Sequence, residues 1–194
     1  MNLKLQTLKT VITITMNNLL IKLYSQHKRN ILSVFLFFIF IPFSSAQMIE
    51  NPAFRLLLSG MLSHSVPEIS VQEADSLKKL NAIFIDTREK KEFLTSHIEG
   101  SILVGYDNLD LSSVEKIEKS KEIVVYCSVG YRSEKIAERL IEMGYTNVKN
   151  LYGGIFEWKN QNKYVVNPAN EVTEKVHAYN RVWGVWLQKG VKVY

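Results

Sequence analysis

The 194-residue chain has a single cysteine, four prolines and nine glycines. One thiol excludes an internal disulfide framework and a cysteine-based zinc site. Hydrophobic residues at 46% and charged ones at 22%, with so little proline and glycine, exclude a disordered, collagen-like or low-complexity protein. His27, His64 and His177 show no metal-ligand spacing with one another. Acidic residues are missing from residues 1–46, which hold five basic ones: Lys4, Lys9, Lys22, Lys28 and Arg29. Of the chain's 24 Lys and Arg, 19 remain for residues 47–194, equal to its 19 Asp and Glu. That neutral balance leaves no phosphate-neutralising surplus, and no nucleic-acid partner is expected. A long hydrophobic run is absent as well. Ile31 to Phe43 is apolar apart from Ser33 and Pro42, but as a helix it reaches only about 20 Å, short of a hydrocarbon core of roughly 30 Å.

What surrounds that run is informative. Lys28-Arg29 precede it and Ser44-Ser45-Ala46 follow it, the positive, apolar, small-residue order of a secretory signal peptide. Residues 1–46 are expected to be such a leader, cleaved near Ala46/Gln47, with the protein periplasmic or secreted. Uncleaved, the leader would be the membrane attachment. A start at Met16 gives it a conventional length, and no cysteine follows the cleavage site to carry a lipid anchor. Beyond the inner membrane Cys127 would meet an oxidising compartment without an internal partner.

The remainder alternates. Residues 47–66 are expected to hold a short helix and a linker. Ser70-Val71-Gln72-Glu73 matches a capping box for a helix running to about Leu80. Ala82 to Asp86 is a short apolar run suited to a strand buried on both faces. Glu89 to Ser96 reads as helix, Ile102-Leu103-Val104 as strand, and Leu111 to Ser120 as a further helix. Glu122 to Tyr126 is a continuous, β-branched strand signal. Ser133 to Met143 follows as a helix with Ile136, Ala137, Leu140 and Ile141 on one face, and Gly144 is placed to end it. Asn147 to Leu151 returns to the sheet, and Gly153-Gly154 precede a short helix through Trp158. This order predicts an α/β fold with an open, mostly parallel sheet and helices on both faces. Residues 163–194, with Tyr179, Trp183, Trp186 and Tyr194, form an aromatic C-terminal extension expected to cover the core.

Cys127-Ser128-Val129-Gly130-Tyr131-Arg132-Ser133 lies between the best strand and the best helix. Ligands collect beyond the carboxyl ends of parallel strands, where helix N-termini point free N–H groups outward. The helix dipole and Arg132 both favour thiolate over thiol. Gly130 lets the loop curl so that successive N–H groups converge on one anion. A lone cysteine is ordinarily a buried, inert hydrophobe, but this placement specifies a nucleophilic sulfur in an anion cradle.

The segment 67–162 resembles a single rhodanese domain. The resemblance is carried by Ile85-Asp86-Thr87-Arg88-Glu89, His97-Ile98-Glu99-Gly100-Ser101, Val125 to Ser133, and Leu151-Tyr152-Gly153-Gly154-Ile155-Phe156-Glu157-Trp158, in the family's order. Ser96, Glu99 and Ser101 depart from the family's common Gly, Pro and Ala in a turn. The resemblance implies a thiosulfate-type sulfurtransferase. Cys127 would take a sulfane sulfur from a small sulfur-containing anion, become a persulfide, and pass the sulfur to a thiol or thiol protein in two-step covalent catalysis without a cofactor. Backbone N–H groups of Ser128, Val129, Gly130, Tyr131 and Arg132 would hold the persulfide, and Arg132 the donor.

Two other functions compete. One is a non-catalytic binding or sulfur-carrier module of the same fold; a degenerate binding version has no need of the thiol, so the intact Cys-x4-Arg loop favours the enzyme, while the aromatic extension keeps the binding module in view. Cysteine phosphatases resemble this loop but place five residues between Cys and Arg, where Cys127 and Arg132 enclose four, a tighter ring suited to one sulfur atom. Asp86, Arg88 and Ser133 are expected to support the loop, the first two as an ion pair. By family analogy His97 is structural. Trp158 is expected to pack a helix onto the sheet, and Lys78-Lys79 and Lys90-Lys91, balanced by nearby Glu, to lie on solvated helix faces.

Overall fold

The computed structural model describes residues 49–194, with the isolated helical positions Asn18 and Lys22 before them. Apart from those two positions the expected signal peptide lies outside the described residues. Among the described residues, no helix is long and apolar enough to cross a membrane.

Five strands form the central sheet: β1 (Glu68–Ile69), β2 (Ile83–Asp86), β3 (Ile102–Leu103), β4 (Glu122–Tyr126) and β5 (Asn147–Leu151). Their order is β1-β5-β4-β2-β3, and each neighbouring pair is parallel. Strand alternation divides their side chains between two cores. Phe84, Val124 and Tyr126 enter one, while Ile85, Ile123 and Val125 enter the other. Burial on both faces is why these strands read as unbroken apolar runs.

Helices α1 (Pro52–Met61), α2 (Val71–Lys79) and α5 (Gly154–Asn160) cover the first core, and α4 (Tyr131–Glu142) the second; α3 (Lys90–Thr95) links β2 to β3. Asn51 caps α1 by accepting from the amides of Ala53 and Phe54. Ser70 and Glu73 form the expected reciprocal capping box on α2. In α4, Ile136, Ala137 and Leu140 are buried, but Ile141 is 42% exposed. Each helical step turns about 100°, so Ile141 falls beyond the stripe that Leu140 closes.

The helix expected at Leu111 to Ser120 does not form. These residues make successive turns in which Val114 donates to Leu111 and Ile117 to Val114. The Val114 carbonyl is also taken by the Tyr145 hydroxyl at 2.5 Å. Anchoring the segment through one buried valine and a tertiary hydrogen bond replaces the i+4 ladder.

The extension folds as two strand pairs, with a 3-10 turn (Trp183–Trp186) in the connection between the strands of the second. β6 (Val165–Val166) pairs antiparallel with β7 (Val172–Thr173), and β8 (Lys175–His177) parallel with β9 (Val191–Val193). Val165, Val176 and Leu187 complete the first core, and Trp186 stacks on Phe54 with centroids 5.2 Å apart.

Candidate active site

Strand β4 ends at Tyr126 and delivers Cys127 to the carboxyl end of the sheet, where the chain turns sharply into α4. Gly130 makes that turn with φ +116°, a conformation L side chains avoid. Its amide then points back at the thiol, with N to Cys127 Sγ 3.1 Å. The Gly130 carbonyl accepts from the Asn150 amide at 3.0 Å, and the Ser133 hydroxyl donates to Asn150 Oδ1 at 2.7 Å. Asn150 therefore clamps the loop to β5.

A second clamp comes from α5. The amides of Ile155 and Phe156 donate to the carbonyls of Cys127 and Ser128 at 2.9 and 3.1 Å. A Cβ on Gly154 would overlap the Cys127 carbonyl oxygen and come within 2.7 Å of the Ser128 carbonyl carbon. Gly154 is thus required by close backbone approach, and Gly153 by its φ of +85° and the Glu157 side chain beside it.

Glu92 on α3 is the third support. It is fully buried, and its two carboxylate oxygens each accept from Arg132 at 2.8 Å, one from Nη1 and one from Nη2. It also accepts from the Ser128 hydroxyl at 3.1 Å and the Glu89 amide at 2.9 Å. Burial pushes the Glu92 carboxyl up, but the Arg132 hydrogen bonds and charge, with Arg88 behind them, outweigh it and hold the pKa at about 2. Burial likewise opposes the Arg132 charge, and the hydrogen bonds to Glu92 raise its pKa nonetheless.

Asp86 and Arg88 stand behind the loop. Both are buried, with Arg88 Nε and Nη2 bonded to the Asp86 carboxylate and Nη2 also donating 2.7 Å to the Ser96 carbonyl. They brace the chain under Tyr126 and do not line the cavity. His97 stacks on Phe93 at 3.9 Å, with Nδ1 3.2 Å from the Phe93 carbonyl, and burial lowers its pKa. Ser101, one of the departures in the turn, lies 2.8 Å from the buried Tyr126 hydroxyl and supplies its side-chain partner. Trp158 meets Phe84 edge-on at 6.0 Å and so packs α5 onto the sheet.

Cys127 is only 1% exposed, but it borders a cavity of about 440 Å³. Of the loop, Ser128, Val129, Tyr131 and Arg132 line it too. The other walls are Met61 of α1, Glu89, Tyr106 and Asp107 above β2 and β3, and Tyr179 and Trp183 of the extension. Among the described residues no cluster of His, Cys, Asp or Glu is arranged to hold a metal.

Several of these residues escape sequence reasoning. The expectation that nearby Glu balances Lys90-Lys91 on a solvated face is wrong for Glu92, which turns inward onto Arg132. Its spacing from Glu89, three residues in a capping-box pattern, was the available signal. Asn150 had none beyond being a polar residue inside a buried strand. The cavity's far walls depend on tertiary folding of the segments flanking the common domain.

A doubly covered parallel sheet whose central strand presents a cysteine to a Gly-curled loop defines a class of α/β cysteine-loop domain. A rhodanese-like domain model matches residues 70–161. Thiosulfate sulfurtransferase GlpE of Coxiella burnetii is 33% identical over 93 residues, covering 47% of this chain and 86% of its own. The adenylyltransferase and sulfurtransferase UBA4 of Meyerozyma guilliermondii is 28% identical over 106 residues, which are 51% of this chain and 25% of that longer protein. The crystal structure of a thiosulfate sulfurtransferase from Pseudomonas aeruginosa aligns at 22% identity with a TM-score of 0.49, over 59% of this chain and 22% of that one. The chain belongs to the rhodanese-like family and is distantly related to sulfurtransferases.

Proposed function

We propose that the protein is a sulfurtransferase working through a persulfide on Cys127. The observation that carries this reading is the Gly130 amide set 3.1 Å from Cys127 Sγ at the border of an open cavity. That amide lies at the positive end of α4, and the Arg132 guanidinium lines the same cavity. The thiolate attacks the outer sulfur of a sulfane donor such as thiosulfate. The S–S bond breaks, sulfite leaves with its electron pair, and Cys127 keeps the transferred sulfur. A thiol then takes that sulfur and returns the free thiolate. The similarity to a named thiosulfate sulfurtransferase supports this chemistry.

Mass spectrometry tests it directly. Incubation with excess thiosulfate is expected to add the mass of one sulfur atom to the protein, and Cys127→Ser to abolish the adduct. An unmodified wild-type mass with a titratable thiol would favour the binding-module reading instead.

We also propose export, from the charge and apolar order of residues 1–46. Protein made in a bacterial host should begin at or near Gln47; an intact leader on protein recovered from the periplasm would refute cleavage.

A further inference from the structure

The cavity in front of Cys127 is poorly matched to a small inorganic dianion. Among the described residues lining it, Arg132 is the one cation. Both of its terminal nitrogens are bonded to Glu92, and its Nη2 also to Ser128. The Tyr179 ring covers it, with the guanidinium carbon 5.1 Å from the centroid. Two carboxylates, Glu89 and Asp107, line the same cavity. Glu89 is engaged by the amides of Tyr106 and Asp107 at 3.2 and 3.0 Å, whereas Asp107 is an exposed residue at the rim. The lining therefore holds more negative than positive charge before a thiolate is counted.

Apart from Cys127, Ser128 and Val129 of the loop, what remains of the described wall is apolar and aromatic: Met61, Tyr106, Tyr131, Tyr179 and Trp183. Three of these, Met61, Tyr179 and Trp183, lie outside the residues matched by the family model. Tyr179 is held there at a cost. Its φ of +61° is a left-handed conformation unusual for a bulky side chain, and its amide is fixed by donating 3.1 Å to Nδ1 of buried His177. A volume of about 440 Å³ is the size of an organic ligand site rather than of a thiosulfate ion.

We propose that the sulfur donor is an organic persulfide whose body is apolar or aromatic and carries no negative charge. This rests on Cys127 being the sulfur acceptor. In the step, Cys127–S⁻ attacks the outer sulfur of R–S–SH. The new bond is Cys127 Sγ–S, the bond broken is the donor's S–S, and R–S⁻ leaves with the electron pair. The product is Cys127–S–SH, with no net oxidation or reduction. The R group sits against Met61, Tyr179 and Trp183, and Asp107 and Glu89 repel a donor body bearing an anion.

The test compares rates of sulfur addition to Cys127, followed by mass, for benzyl persulfide, 4-carboxybenzyl persulfide and thiosulfate. Each rate is divided by that donor's rate with free cysteine in solution. Benzyl persulfide is expected to exceed both others by about tenfold or more, the range of one aromatic contact or one unfavourable charge. Trp183→Ala should lower the ratio of the benzyl persulfide rate to the thiosulfate rate. Asp107→Lys, a change at an exposed position, should raise the relative rates of 4-carboxybenzyl persulfide and thiosulfate. Equal normalised rates for the three donors, a faster rate with thiosulfate, or indifference to Asp107→Lys would overturn the inference while leaving Cys127 as the sulfur acceptor. Absence of an adduct with every donor would overturn both.

Discussion

Glu92 governs the loop from behind, because one buried carboxylate satisfies the Arg132 fork, the Ser128 hydroxyl and the Glu89 amide together. A charge buried with that many donors resists protonation, and this has a sign that can be checked. The Glu92 pKa of about 2 lies below its ordinary value of 4.5. The unfolded chain therefore binds the extra proton first as pH falls. The stabilisation from Glu92 is present in full above about pH 4.5 and is lost progressively toward about pH 2. Glu92→Gln removes the charge but keeps the shape, leaving Arg132 with an unneutralised guanidinium. A cost of about 3 kcal/mol at neutral pH is expected for breaking such a buried pair. Urea midpoints at pH 7 and pH 3 measure both effects. The variant should be less stable at pH 7, and its fall in stability between the two pH values should be smaller than the wild type's. Equal pH dependence in the two proteins would mean that Arg132 does not hold the Glu92 proton off.

At the scale of elements, legibility followed how local the cause was. β2 and β4 could be read because both faces are buried, so their apolar runs are unbroken. The start of α2 could be read from the Ser70–Glu73 box, whereas α4 begins at Tyr131, two residues before the expected Ser133, directly from the Gly130 turn. Residues 111–120 could not be read in this way. Their helical composition is overridden by the hydrogen bond from Tyr145, a residue 31 positions from Val114. The candidate site divides along the same line. Cys127, Gly130 and Arg132 sit within one strand-turn-helix unit and announce themselves by spacing. Glu92 and Asn150 reach the loop from α3 and β5, and a lone Glu or Asn carries no sign of what it will face. Gly153 and Gly154 were visible as a break before α5. The reason for Gly154 is the approach of that helix to the Cys127 and Ser128 carbonyls, which only the packed sheet creates.

For the whole molecule, the extension after α5 has two uses that share one attachment. It covers the core through Val165, Val176 and Leu187, and it carries Tyr179 and Trp183 to the cavity. Asn160, buried at the end of α5, is the clasp between them. Its side-chain amide donates 2.9 Å to the Trp186 carbonyl, and its oxygen accepts from the amides of Gln188 and Lys189 at 2.7 and 3.2 Å. Asn160→Ala strips these three partners and Glu157 at once and should cost about 2 kcal/mol through the groups left unpaired. The damage is expected to be local, because β4 and β5 depend on none of these bonds. Hydrogen exchange separates the alternatives. Amides of Gly184, Leu187, Gln188 and Lys189 should exchange faster in the variant, while those of Val124, Val125 and Val148 keep their protection apart from the shared loss of global stability. The same loosening should slow sulfur loading from benzyl persulfide more than loading from thiosulfate, since only the larger donor needs the wall that Tyr179 and Trp183 provide. Uniform loss of protection across sheet and extension would instead make the extension part of one cooperative unit with the sheet, and the wall could not then be loosened without unfolding the site.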